Sequence, residues 1–304
     1  MERNVELSQF SNYKTGGAAD FFIQAKNVDE VKSALVWANQ NNQKLFILGG
    51  GTNILFPDSG FRGLVLKIDN QDFCFEGLEL RTGAGAMVSA LLNSAIENEL
   101  TGLEWAGGLP GTIGGAIRGN AECFGGEIKD IGKEVRAITP EGKILIFNNK
   151  ECNFSYRHSR FKKENLIVLG IVMQLKKDLP KAKLIEIAQS HIDYRIEKQP
   201  LEYPNCGSVF KNVQVEKAPP EIVEKFKAVI KTDPFPVIPT AALIHEAGLK
   251  GHTIGGAQVS EKHPNFIINH KNASSADIFA VLNFVKSDVK DKFGVDLEVE
   301  IELV

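Results

Sequence analysis

The sequence is poor in residues that announce metal or disulfide chemistry. Four cysteines, Cys74, Cys123, Cys152 and Cys206, are scattered over 304 residues with no CxxC pair. Together with the lack of an export segment, this predicts free thiols in a reducing compartment. The six histidines never fall in HxxxH or HExxH spacing, so no metal site is expected. Excess positive charge is also missing: 35 Lys and Arg stand against 38 Asp and Glu, a net charge of −3. No nucleic-acid partner is expected. The longest apolar runs, such as residues 166–175, are too short to span a bilayer. The opening MERNVELSQF lacks the apolar centre of a signal peptide. The expected setting is the cytoplasm, without membrane attachment. Three common signatures are absent too. There is no GxxxxGK[ST], no GxGxxG (GAGAMV at 83–88 lacks the third glycine) and no GxSxG. An ordinary P-loop, a Rossmann dinucleotide site and a hydrolase elbow are thus unsupported.

What is present is the pattern of an α+β protein with more than one core. A chain of this length is expected to form two or three domains. Val28, Val31, Ala34, Leu35 and Ala38 fall on one helical face, as do Val88, Leu91, Leu92, Ala95 and Ile96. Strands are predicted at 45–48, 64–68, 78–85 and 166–175. A hairpin is predicted over 135–147, turning near Pro140–Gly142, and a helix over 181–195. Seven of the twelve prolines lie between Pro200 and Pro239, so that segment should be largely extended or looped. A helix is predicted over 277–293. In LEVEIELV (297–304) apolar residues alternate with Glu, the mark of a strand with one wet face.

Glycine marks two candidate binding loops. Gly49–Gly51 follows the apolar strand 45–48, and consecutive glycines let backbone N–H groups converge on an anion. A plain tight turn explains them equally well. The stretch GGLPGTIGGAIRGNAECFGG (107–126) has eight glycines but also Leu109, Ile113, Ala116, Ile117 and Phe124. It is too apolar for a flexible linker, so its backbone should lie against something flat or crowded. Two such loops suit a ligand with a diphosphate and a planar ring; tight internal packing is the alternative. SYRHSRF (155–161) offers guanidinium forks for a carboxylate or phosphate, though its spacing alone favours a basic surface loop. In NCGSVFKN (205–212), Ser208 presents a hydroxyl and Cys206 reads as a small buried side chain. Glu298, Glu300 and Glu302 read, by pattern alone, as a solvated strand face.

In order, these segments resemble one family. The segments are NYKTGGAADFF (12–22), LGGGTNILFPDSGFRGLVLKI (48–68), GLEWAGGLPGTIGGAIRGNA (102–121) and SYRHSRFK (155–162). They continue with GSVFKN (207–212), AALIHEAGLKGHTIGGAQVSEKHPNFIIN (241–269) and LEVEI (297–301). The family is the UDP-N-acetylenolpyruvoylglucosamine reductases, in its shorter subtype. The resemblance spans nearly the whole chain. It departs from the family at Glu122, Cys123 and Phe124, at Cys206 and at Val213.

The resemblance implies a two-lobed FAD-binding domain of the vanillyl-alcohol-oxidase (PCMH) type, followed by a smaller α+β substrate-binding domain. The implied division is 1–68 for lobe 1, 69–178 for lobe 2, 179–199 for a connecting helix or linker and 200–304 for the substrate domain. The implied reaction is NADPH-dependent reduction of UDP-N-acetylglucosamine enolpyruvate to UDP-N-acetylmuramate, a step in peptidoglycan precursor synthesis in the bacterial cytoplasm. FAD is expected to be non-covalent, because neither glycine loop offers a histidine or cysteine for attachment. Gly49, Gly50, Gly51, Thr52 and Asn53 resemble the diphosphate turn. Gly111, Thr112, Gly114 and Gly115 resemble the loop along diphosphate and flavin. Arg157 and Glu300 resemble the residues that meet the substrate carboxylate, and Ser208 resembles the proton donor. Tyr156, Lys211 and Asn212 resemble substrate contacts. A monomer is expected. Two further readings fit the sequence: a flavin oxidase or dehydrogenase of the same fold, and a catalytically silent nucleotide-binding protein.

Overall fold

A computed structural model describes residues 1–232 and 235–304. Packing divides the chain into two units built from interleaved segments. One comprises Met1–Val5, Ala19–Gly50 and Arg62–Arg195; the other comprises Glu6–Ala18, Gly51–Phe61 and Ile196–Val304.

The first unit holds two sheets. A four-stranded sheet has the order Glu2–Glu6, Ala18–Ala25, Phe61–Ile68, Leu45–Leu48, and its last two strands run parallel. A five-stranded sheet, antiparallel throughout, has the order Ile144–Asn148, Gly132–Ile138, Ile167–Gln174, Glu79–Gly83, Phe73–Glu76. The expected strands and hairpin form here. Helix Val28–Gln40 starts where Asn27 accepts a hydrogen bond from the Glu30 N–H at 2.9 Å, a cap that stabilises by roughly 1 kcal/mol. Val31, Ala34, Leu35 and Ala38 are its buried face. Val88, Leu91, Leu92, Ala95 and Ile96 are buried on helix Val88–Glu97. Both helical faces join one apolar core with Leu64, Leu66, Val135, Ile171 and Leu184. At roughly 1.5–3 kcal/mol for each large aliphatic side chain removed from water, this core dominates the unit's stability.

The second unit has a core of its own around Val209, Phe210, Leu243, Ile278, Val281, Leu282, Val285 and Val289, joined by Tyr13 and Leu55. Its long helix, Ser275–Phe293, opens on a capping box between Ser274 and Asp277 and stops at Gly294, φ +64°. Asp58 also caps it, its carboxylate accepting from the N–H groups of Ser275 at 2.8 Å and Ala276 at 2.9 Å. That contact explains why residues 51–61 belong with the C-terminal half. Residues 6–18 are held similarly, by the Asn269 side-chain amide donating to the Tyr13 carbonyl at 2.9 Å. The proline-rich segment carries the short α-helix Pro220–Lys225, flanked by the 3-10 turns Val215–Lys217 and Lys227–Val229; proline stands at its first turn, where the missing N–H costs nothing. Pro234 lies outside the described residues.

One expected element is corrected. Residues 297–304 are not a single strand. Val299 bridges Phe210, while Glu302–Leu303 pairs in parallel with Ile54–Leu55. The alternating pattern reports burial of Leu297 and Ile301, but the two halves find different partners and the ladder breaks between them. No helix among the described residues is long and apolar enough to cross a membrane.

Candidate functional site

In the first unit the two glycine loops meet. A Cβ on Gly50 would lie 2.8 Å from the Gly111 Cα, and one on Gly49 would lie 2.8 Å from the Thr112 Oγ1. Side chains are excluded from this contact by backbone and by one hydroxyl. Thr112 Oγ1 is itself buried with no hydrogen-bond partner among the described residues, a cost of about 1–3 kcal/mol that a bound acceptor would relieve. Thr112 also bridges Met87, and the Gly111 carbonyl accepts from the Val88 N–H at 3.1 Å.

The other glycines of 107–126 have different reasons to be there. A Cβ on Gly107 would strike the Ala188 carbonyl at 2.4 Å, and one on Gly126 would strike the Trp105 ring at 2.4 Å. These positions are tight internal packing. Gly114 is crowded by Ala84 at 2.8 Å, whereas a Cβ on Gly115 would make only an ordinary contact, 3.7 Å from Thr112 Oγ1. Gly115 is exposed, so its glycine is not explained by the protein's own packing.

Tyr156 and Arg157 sit at the tip of a tight turn closed by reciprocal backbone bonds between Ser155 and His158, both 3.0 Å. Arg157 takes φ +54°, strain of order 1 kcal/mol for a side chain of this kind. Its guanidinium lies over the Tyr156 ring at 5.5 Å and donates to the Glu122 carbonyl at 3.3 Å. Asn120, fully buried, ties the same two loops together: its side-chain amide donates to the Ser155 carbonyl at 3.3 Å and to the Glu127 carboxylate.

In the second unit the backbone next to Ser208 is bonded to that of Glu300. The Glu300 N–H donates to the Val209 carbonyl at 2.8 Å, and the Lys211 N–H donates to the Glu298 carbonyl at 2.9 Å. Residues 209–211 are thereby paired with residues 298–300. Asn53 joins from the other side, its amide donating to the Glu300 carbonyl at 3.2 Å. Lys211 is ion-paired with Glu298 at 2.5 Å. The Asn212 side-chain oxygen accepts from the Thr240 N–H at 3.2 Å. Cys206 is buried, donates to the Ile54 carbonyl at 3.4 Å, and has its thiol pKa pushed up by burial to about 12. It is an inert packing residue, as its sequence context suggested.

Asn265 lies inside the 241–269 segment that resembles the family, but no role for it is legible there. It is buried and receives the Phe210 N–H at 3.1 Å while its amide donates to the Phe210 carbonyl at 2.8 Å. Locally it is a lone amide between Pro264 and an apolar run. A cavity of about 400 Å³ in the first unit, lined by residues including Asn70, Arg81, Arg136 and Gly170, contains none of the expected site residues. Among the described residues, no cluster of His, Cys, Asp and Glu could hold a metal.

Comparison with known proteins gives two family matches. Residues 199–304 match the C-terminal domain of UDP-N-acetylenolpyruvoylglucosamine reductase, and residues 19–148 match an FAD binding domain. The UDP-N-acetylenolpyruvoylglucosamine reductase of Lachnoclostridium phytofermentans is 38% identical, over 99% of this chain and 92% of that protein. The Listeria monocytogenes protein of the same name is 36% identical, over 99% and 94%. The crystal structure of UDP-N-acetylenolpyruvylglucosamine reductase from Thermus caldophilus superposes with a TM-score of 0.79 at 27% identity, covering 99% of this chain and 98% of that one.

Proposed function

The chain belongs to the UDP-N-acetylenolpyruvoylglucosamine reductase family, and on that premise we propose that it is an FAD-dependent oxidoreductase using NADPH to reduce UDP-N-acetylglucosamine enolpyruvate to UDP-N-acetylmuramate, for bacterial peptidoglycan synthesis. The observation that supports this chemistry is the backbone pairing of 209–211 with 298–300, which joins the segment carrying Ser208 to the one carrying Glu300.

The residues present fit non-covalent FAD. The side-chain-free contact between Gly50 and Gly111, the partnerless Thr112 hydroxyl and the open face at Gly115 are what a diphosphate and a flat ring require. Gly49, Gly50, Gly51, Thr52 and Asn53 would hold one part of the group, and Gly111, Thr112, Gly114 and Gly115 the other. Gly51 has φ +66° and its Cβ would strike the Phe10 carbonyl, so this turn cannot take a side chain there. What the flavin supplies when bound is relay of a hydride from NADPH to the methylene carbon of the enol ether.

The remaining work belongs to the chain. Once the methylene carbon has gained a hydride, the electron pair of the double bond rests on the carbon next to the carboxylate, as an enolate. Arg157 would hold that carboxylate with a guanidinium already oriented by Tyr156 and Glu122. Donors fixed before reaction cost no reorganisation as charge develops. Glu300 would face the same group. Ser208 would deliver its Oγ proton to the enolate carbon, completing the lactyl ether, and recover a proton from solvent. Tyr156 and Asn212 would contact substrate. Lys211 would meet the diphosphate of UDP while still held by Glu298.

The test is purified protein with FAD, NADPH and UDP-N-acetylglucosamine enolpyruvate. Substrate-dependent NADPH oxidation with formation of UDP-N-acetylmuramate is expected. Its absence in FAD-loaded protein would overturn the reading.

A further inference from the structure

We propose that Arg195 is a positioning residue for Arg157, acting through the hairpin at residues 122–127. The inference rests on the reductase reading only for what Arg157 does; the mechanical link stands on contacts within the first unit.

Arg195 lies near the end of helix Lys181–Lys198 and is 9% exposed. A buried guanidinium is expensive unless its donors are satisfied, and a carboxylate is the usual solution. Among the described residues Arg195 has a different set of partners. Its Nε donates to the Gly107 carbonyl at 2.9 Å, its Nη2 donates to the Cys123 Sγ at 3.1 Å, and its plane lies 5.2 Å from the Phe124 ring centre. Cys123 passes the link on, its thiol donating to the Trp105 carbonyl at 3.3 Å. That requires a protonated thiol, and burial, which raises the Cys123 pKa against the pull of Arg195 and Arg157, keeps it so.

The hairpin pairs Glu122 with Glu127 and Cys123 with Gly126. Its two loop residues, Phe124 and Gly125, have φ +51° and +80°. Two consecutive positive φ values make the tightest class of hairpin turn, in which Asn-Gly is the favoured pair and a bulky aromatic is strained. Phe124 is therefore not there for the turn. Its ring stacks on His191 at 4.0 Å and 4°, meets Tyr194 edge-on at 5.4 Å and lies beneath Arg195. One helical face thus clamps both side chains of the hairpin tip. The short strand leading into that tip, Glu122–Cys123, begins at Glu122, whose carbonyl receives the Arg157 guanidinium. Arg157 is itself at positive φ, so its loop needs outside support to hold its orientation. The chain of contact runs from Arg195 and His191, through Cys123 and Phe124, to Glu122 and Arg157.

The experiment uses FAD-loaded protein and three variants. Phe124→Asn supplies the preferred turn residue while removing the ring. Arg195→Met removes both donors, and Arg195→Lys retains the charge. Phe124→Asn is expected to melt no lower than wild type. It should slow flavin reoxidation by the enolpyruvate substrate about 10-fold or more, the scale of a small misplacement of a reacting group, and leave flavin reduction by NADPH within about twofold. Arg195→Met should lose more than Arg195→Lys. Combined with Arg157→Lys, Arg195→Met should add nothing further, because the two act on one contact. The side-chain Nε–H signal of Arg157 in ¹⁵N-labelled protein, assigned with Arg157→Lys, should shift or broaden in Phe124→Asn; this readout needs no turnover. An unchanged Arg157 signal in Phe124→Asn, equal slowing of both half-reactions, or multiplicative effects in the double variant would overturn the proposal. Wild-type protein that gives no substrate-dependent turnover would sink the reductase reading instead and leave the signal test standing.

Discussion

Asn265 and Phe210 form a closed ring of two hydrogen bonds, the amide taking the place of a neighbouring strand for a residue that has none on that side. Two residues before Phe210 stands Ser208, and the same segment is bonded to Glu300 through Val209. The amide is therefore the support on which the proposed proton donor is mounted.

Replacing Asn265 by Leu would leave a buried N–H and a buried carbonyl unsatisfied, at about 1–3 kcal/mol each. The melting temperature should fall clearly. Substrate-dependent flavin reoxidation should slow more than reduction by NADPH does. A variant with wild-type melting would show that the ring is dispensable.

Ser208→Ala separates the two half-reactions more sharply. Reduction by NADPH should remain nearly intact, while reoxidation by substrate should fall by about 10²–10⁴-fold, the range for losing a positioned proton donor. Stopped-flow flavin absorbance reads both steps. Equal losses in the two would mean that the serine has been given the wrong role.

The glycines of the first unit divide into two kinds, and alanine substitution distinguishes them. In Gly50→Ala the new Cβ meets Gly111 backbone at 2.8 Å, so both stability and FAD affinity should drop. Gly115→Ala meets only an ordinary contact inside helix Ile113–Gly119, where Ala gains up to about 1 kcal/mol over Gly. Its FAD-free form should melt at or above the wild-type temperature while FAD binds more weakly, as read by flavin fluorescence on titration. Unimpaired FAD affinity in Gly115→Ala would move the flavin away from this position.

His263 sets a limit in acid. It is half-buried with its ring edge-on to Phe266 at 4.7 Å. Burial lowers its pKa to about 4, with Lys231 and Lys250 adding to the effect. In the unfolded chain the imidazole titrates near ~6.5. As pH falls below that value the unfolded state takes up the proton first, so stability present at neutral pH is lost between about 6.5 and 4, by up to roughly 3 kcal/mol. Denaturant unfolding of wild type and His263→Gln across this window should converge in slope difference at both ends. Parallel curves throughout would contradict the assignment.

Much of this was legible because burial on a regular element leaves a periodic trace. The faces of Val28–Gln40 and Val88–Glu97 could be read residue by residue. The tail at 297–304 could not, because alternation records which side chains are buried and not which backbone receives the hydrogen bonds. The glycines of 107–126 look alike in sequence, yet Gly107 and Gly126 answer to Ala188 and Trp105 while Gly115 answers to no protein atom so closely. Asn265 acts through main-chain groups 55 residues away, which no local pattern encodes. Arg195 did leave a trace: it falls on the helical stripe of Leu184 and Ala188, where a charge is out of place. The interleaving of the units was hidden for the same reason as the tail. Asp58 and Asn53 look like ordinary turn residues until their distant partners are known.

That interleaving bears on how the molecule is made. Asn53 and Glu300 are 247 residues apart, and at about 5–20 residues per second a ribosome needs roughly 10–50 s to travel between them. For that interval Ile54–Leu55 is an unpaired strand edge and Asp58 a cap without its helix. The first unit can consolidate on the emerging chain, while two of its own connections wait for a partner not yet translated. The nascent protein thus spends most of its synthesis with a half-built second core in solution, the period in which a chaperone has most to protect.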